Sequence, residues 1–211
     1  DEDTSYERNG YWKSSYKELK DKIDRADAVS FDIFDTLIMR KIFSPEDVFR
    51  LLGEKVRAEL KLDCEIAGIR AQAAAKCGSN ATINEIYKQI KKTNLTDTNI
   101  ADIMQLEKDI DIDLCIARRD IADLYEYCLA CGKKVYLISD MYYKLQDIKH
   151  LLDKCGVTIP DDEHIWISCE KKCDKVSGSI WKEYSELVGK DIKCLHIGDN
   201  KTGDVENPAK Y

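Results

Sequence analysis

The chain has 211 residues, is 44% hydrophobic and 35% charged, and carries a formal charge of −7. That composition is ordinary for a folded protein, and its sign argues against nucleic acid or an anionic membrane as the main partner. A phosphate-bearing metabolite is still compatible with it, because local cations can override the global charge. No apolar run approaches the roughly 20 residues of a membrane span. No signal peptide is evident, but the chain begins at Asp1 rather than Met, which leaves room for a leader or a preceding domain. Nine cysteines raise the question of zinc at Cys128-x-x-Cys131 and Cys169-x-x-x-Cys173. A structural zinc site needs four ligands in paired spacing, and these pairs lie in different kinds of segment with no histidine at finger-like distance. Reduced thiols of a cytoplasmic protein are the plainer reading.

In chain order, residues 1–10 are polar, and 11–26 carry Trp12, Tyr16, Leu19 and Ile23 at helical steps. Residues 1–27 thus read as a polar segment and a helix. Val29 to Phe34 has almost no polar alternation and predicts a strand buried on both faces. Residues 44–116 read as helical throughout. Ser44-Pro45-Glu46-Asp47 supplies a cap, a proline at the first helical position and first-turn acids, ahead of the stripe Val48, Leu51, Leu52, Val56 and Leu60. Thr82-Ile83-Asn84-Glu85 is a second capping box, leading to Ile86, Ile90 and the basic pair Lys91-Lys92. A long helical stretch from about Thr98 to Gly132 is expected to break once, its half from Ala117 rejoining the core. Strand and helix then alternate: strands at 134–139, 164–168 and 193–197, helices at 144–155 and 178–187. The prediction is an α/β protein, an open parallel sheet with an all-helical insertion after the first strand. The chain stops at Tyr211, which leaves room for a further closing strand.

Ligands of open α/β sheets bind beyond the carboxyl ends of the strands. There the sequence puts Asp32, Asp35 and Thr36, then Ser139 and Asp140, then Lys171, Lys172 and Lys175, then Asp199, Asn200 and Asp204. Singly these are common turn and cap residues. Four polar strand ends in succession, three of them bearing carboxylates, describe a site for a hard cation and an anionic substrate.

In this order the chain resembles the haloacid dehalogenase-like hydrolase superfamily. Its motifs are matched by Asp32 with Thr36, by Ser139, by Lys175 within Lys175-Val176-Ser177-Gly178, and by Gly198-Asp199-Asn200-Lys201-Thr202-Gly203-Asp204. The resemblance runs from about residue 28 to the end. It implies a core of 28–43 and 117–211 and a helical cap of 44–116. The strings Phe-Asp-Ile-Phe-Asp-Thr-Leu-Ile and Ile-Ser-Asp-Met-Tyr are similar to a bacterial subgroup often joined to glycosyltransferases, which implies a glycosyltransferase partner and sugar phosphates as substrates. Asp32 rather than Asp35 matches the nucleophile, since the fourth residue after Asp35 is Met39, which has no hydroxyl.

The resemblance implies that Asp32 attacks phosphorus to give an aspartyl-phosphate. Mg²⁺ would be held by Asp32, Asp199 and the main-chain carbonyl of Phe34, with Asp204 supporting them from behind. Ser139, expected at a helix start, would hold phosphate oxygens with Asp140 beside it. Lys175 would neutralise charge between nucleophile and substrate, with Lys171 and Lys172 as alternatives. Arg40 is a candidate for binding a substrate anion, against the plainer reading of a surface arginine. Tyr142 and Tyr143 read as packing residues, His196 as a satisfied core histidine, and Asp109, Asp111 and Asp113 as a solvated helix face.

One position departs from the pattern. Phosphatases of this superfamily carry a second aspartate two residues after the nucleophile as general acid, and here that residue is Phe34. Such an acid is typically worth roughly 10²–10⁴-fold. Three readings follow. Asp35 substitutes as acid in a phosphatase, or the substrate leaves unprotonated. The aspartate nucleophile does other chemistry, such as carbon–halogen hydrolysis. Or the fold serves as a catalytically weak binding or regulatory module beside a glycosyltransferase.

Overall fold

The computed structural model describes residues 14–90, 95–189 and 191–211. The expectations for residues 1–10, Trp12, Lys91 and Lys92 lie outside these. Helix α1 (Tyr16–Arg25) starts at a reciprocal capping box between Ser15 and Glu18 and buries Leu19 and Ile23. Strand β1 (Ala28–Phe31) is buried at every position. It is shorter than the apolar run, because the chain turns sharply after Asp32. The Leu37 and Ile38 amides both donate to the Ile33 carbonyl at 2.9 Å.

β1 lies inside a four-stranded parallel sheet of order β5-β4-β1-β6, with β4 at Lys134–Ser139, β5 at Ile165–Ile167 and β6 at Cys194–Ile197. Alternate residues serve opposite faces. Val135 and Leu137 join Val29, Phe31 and α6 (Arg119–Ala130) in the larger core. Tyr136 and Ile138 pack with Trp166 of β5 and with Ile180, Trp181 and Tyr184 of α9 (Ser179–Val188) in a smaller one. Both faces are covered, which is why these strands read as continuous apolar runs. Each fully buried large apolar side chain contributes about 1.5–3 kcal/mol.

The insertion holds α2 (Asp47–Glu59), α3 (Ile66–Cys77), α4 (Ile83–Lys88) and α5 (Asp97–Leu114). Thr82 and Glu85 form the expected capping box. Two expectations differ. Helix α2 begins at Asp47, not at Pro45, because the Ser44 hydroxyl accepts from the Glu46 amide inside a turn. The insertion is also not helical to its end. Residues Cys115–Ala117 form strand β3, antiparallel to β2 (Ile38–Arg40), with Ile38 opposite Ala117 and Arg40 opposite Cys115. This ribbon ties the two ends of the insertion together, supplying from the partner strand the backbone bonds a helix would have made internally. The remaining helices are α7 (Leu145–Lys154) and the short α8 (Ser168–Lys171). All nine cysteines are free thiols, and no described helix is long and apolar enough to cross a membrane.

Candidate active site

The sheet order fixes where the site lies. From β1 the chain crosses to β4 and β5 on one side and returns to β6 on the other, so β1 and β6 flank the point where the winding reverses. Asp32 follows β1, and its amide donates to the Ile197 carbonyl at 2.9 Å. Asp199 and Asp204 follow β6. The turn between them is close, and a Cβ on Gly198 would lie 2.4 Å from Asp204 Cγ. Only glycine lets that carboxylate reach back under the strand end. A π-helical turn over Lys201–Glu206 then carries Asp204 inward, with Asn200 capping it by accepting from the Gly203 amide.

Asp32, Asp199 and Asp204 bring carboxylate oxygens within 4.8 Å of one another. Lys175 Nζ lies between two of them, 2.6 Å from Asp32 Oδ1 and 2.7 Å from Asp204 Oδ1. Thr36 Oγ1 donates to Asp32 Oδ2 at 3.2 Å. Asp204 is fully engaged: Oδ1 also receives His196 Nε2 at 3.0 Å, and Oδ2 receives the Asn200 amide at 2.9 Å. The donor set is all oxygen, which suits a hard cation such as Mg²⁺. With Asp204 committed, Asp32 and Asp199 are the carboxylates left to face one.

Charge follows from burial and neighbours. Burial raises Asp32 against the opposing charge of Lys175, and the carboxylates of Asp204 and Asp199 add to it, taking Asp32 up to about 7. Burial also raises Asp199, helped by Asp204 and Asp35. For Asp204 burial acts upward too, but the His196 hydrogen bond and Lys175 outweigh it and hold it well below the usual carboxylate range. Burial would lower Lys175, yet its two carboxylate partners keep it firmly protonated. The cluster is thus crowded with negative charge and short of cations.

No family model and no curated protein matches the chain. Solved structures match over most of its length. A 2-haloacid dehalogenase from Pseudomonas syringae superposes with TM-score 0.59 at 10% identity, over 88% of this chain and 83% of that one. The HAD-hydrolase YfnB from Bacillus subtilis, bound to magnesium, gives 0.56 at 13%, over 88% and 85%. CbbY from Rhodobacter sphaeroides, in complex with xylulose-(1,5)bisphosphate, gives 0.53 at 20%, over 88% and 82%. The fold is that of the haloacid dehalogenase-like hydrolases.

Within this haloacid dehalogenase-like fold the expected residues divide sharply. Asp32, Thr36, Lys175, Asp199 and Asp204 converge. The other two lysines do not: Lys171 lies over the Trp166 ring at 4.1 Å, and Lys172 reaches Glu85 and the Asn80 carbonyl. Ser139 is buried at the end of β4, but no helix starts there, since α7 begins at Leu145 after a loop. Both oxygens of Asp140 accept from the Lys175 amide, at 2.9 and 3.0 Å, and so anchor the lysine's loop.

Arg40 is neither a surface arginine nor a free anion site. It forms a bidentate pair with Asp111 at 2.5 and 3.0 Å, and its guanidinium lies 4.5 Å over the Phe34 ring. Asp111 is correspondingly buried, not on a solvated face, and also accepts from the Tyr143 hydroxyl at 2.7 Å. One turn earlier, buried Glu107 takes Arg70 bidentately and the Tyr87 hydroxyl. Asp35 sits at φ +56° in the left-handed region, which aspartate tolerates better than most residues. His196 is satisfied, as a core histidine should be, but by a site residue. Sequence reading also passed over Asn207, whose side chain donates to the carbonyls of Lys175 and Val176 at 2.9 and 2.7 Å. It lies outside every motif, so nothing local marks it.

Proposed function

We propose that the protein is a hydrolase with an aspartate nucleophile, Asp32, acting on a small phosphorylated metabolite. The observation that carries this reading is the Lys175 ammonium held between Asp32 and Asp204, with Thr36 on the other oxygen of Asp32. These two donors hold both oxygens of Asp32 and so fix the orientation of the carboxylate at the strand end. Asp32 would attack phosphorus, forming an O–P bond as the leaving oxygen departs with the P–O pair, and water would then cleave the aspartyl-phosphate. Lys175 offsets the negative charge that must gather there. Asp32, Asp199 and the Phe34 carbonyl would hold Mg²⁺, which when bound supplies charge neutralisation on the phosphoryl oxygens. Ser139, at the end of β4, would face the phosphate, and Asp140 would serve the site by anchoring the loop that carries Lys175.

Phe34 removes the usual acid, and Asp35 is the substitute nearest in sequence. Carbon–halogen hydrolysis is the second reading, favoured by the same aromatic residue, since a halide leaves without a proton. Sugar phosphates and a neighbouring glycosyltransferase rest on the two sequence strings alone. The test is a panel of phosphate esters and 2-haloacids with and without Mg²⁺. Mg²⁺-dependent phosphate release, abolished in Asp32→Asn, is the expected result. Halide release without metal would move the assignment to the second reading, and neither activity would overturn both.

A further inference from the structure

We infer that His196 is a positioning residue of this site, fixing Asp204 and through it the aim of Lys175 at Asp32. This rests on the reading of Asp32 as nucleophile. His196 lies on β6 with its side chain 4% exposed, and it bridges two buried groups. Nε2 is 3.0 Å from Asp204 Oδ1 and Nδ1 is 2.8 Å from Ser30 Oγ, across the β1–β6 pairing that sets Ser30 opposite His196.

The proton positions follow by elimination. Asp204 is ionised and can only accept, so Nε2 carries the hydrogen. In a neutral imidazole that leaves Nδ1 as the acceptor, 2.8 Å from Ser30 Oγ. Ser30 then donates to Nδ1 and locks the tautomer. The ring's orientation is held as well, by the Trp181 ring at 4.5 Å, whose Nε1 donates to the Gly203 carbonyl at 2.8 Å. A chain of hydrogen bonds thus runs Ser30–His196–Asp204–Lys175–Asp32, all of it buried.

Asp204 Oδ1 is shared by two donors, His196 Nε2 and Lys175 Nζ. Without the imidazole N–H, that oxygen has the ammonium as its sole side-chain donor. Lys175 then moves toward Asp204 and away from Asp32, and the nucleophile loses its fixed oxygen. Substrate contacts are untouched, so the loss falls on kcat rather than KM.

Three variants test this: His196→Gln, which keeps an N–H at the reach of Nε2, His196→Leu, which fills similar space without it, and Ser30→Ala. The substrate is whichever phosphate ester the wild-type protein turns over with Mg²⁺. The expected result is a kcat lower by about 10²-fold in His196→Leu with KM within about twofold, most of it recovered in His196→Gln at equal Tm. ¹⁵N NMR of the imidazole should show the neutral Nε2–H tautomer in wild type and a mixture in Ser30→Ala. Full kcat in folded His196→Leu, or an Nδ1–H tautomer in wild type, would overturn the inference. If wild type turns over no ester, the functional reading fails instead. The ¹⁵Nζ resonance of Lys175 then decides the positioning role alone: a shift in His196→Leu that His196→Gln does not show supports it, and no shift refutes it. Should His196→Leu fail to fold, the tautomer measurement on wild type and Ser30→Ala keeps the same two outcomes.

Discussion

Gly198 carries a consequence out of proportion to its size. A methyl group there would stand 2.4 Å from Asp204 Cγ, so Asp204 must leave, and with it the partner that holds Lys175 on Asp32. The expected outcome for Gly198→Ala is a loss of at least about 10²-fold in kcat, the scale of a 1 Å misplacement near the chemistry. Kinetics alongside Tm will separate this from unfolding. Phe34 is the opposite case, a residue whose replacement is constrained by its neighbour. Arg40 lies over its ring, so replacing Phe34 with aspartate removes an aromatic face packed against the Arg40–Asp111 pair as well as adding an acid.

At the scale of elements, the insertion is joined to the core through charged groups that water does not reach. Helix α5 presents Glu107 and Asp111 one turn apart, each with a bidentate arginine and a tyrosine hydroxyl. Arg40 comes from β2 and Tyr143 from the loop after β4, so Asp111 binds the β2–β3 ribbon and the core at once. Breaking a buried pair by removing one partner typically costs about 3–5 kcal/mol, whereas apolar replacement of both costs far less. Asp111→Ala should lower the urea midpoint accordingly, and Arg40→Met combined with Asp111→Leu should recover most of it. Exposed Lys172–Glu85 makes a contrast, since such surface pairs contribute about 0–1 kcal/mol. The helical periodicity of α5 was legible in the sequence, but its burial was not. Asp109, Asp111 and Asp113 look alike in one dimension, and only the approach of β2 distinguishes the middle one.

At the scale of the whole molecule, folding gathers three carboxylates against one lysine among the described residues. A divalent cation that binds this arrangement and not the unfolded chain stabilises by RT ln(1 + [L]/Kd), about 2.7 kcal/mol at 100 times Kd. Thermal unfolding should therefore move upward with Mg²⁺ in wild type and stay put in Asp199→Asn. An unchanged midpoint in wild type would count against a metal at this site.

The apolar runs, caps and polar strand ends were enough by themselves to determine a parallel α/β sheet with an inserted helical segment and to gather the candidate carboxylates and lysines at its strand ends; singling out Asp32 with Thr36, and Lys175 among three lysines, needed the family resemblance. The runs, caps and strand ends are local signals, since a strand buried on both faces and a turn that follows it announce themselves within a few residues. Partners more than a hundred residues apart are another matter. The sequence could not say that Asp140 anchors a loop, that Arg40 is already neutralised by Asp111, or that His196 connects Ser30 to Asp204. Those assignments depend on which side chains strand pairing and helix packing bring within about 3 Å, and that is decided by tertiary structure alone.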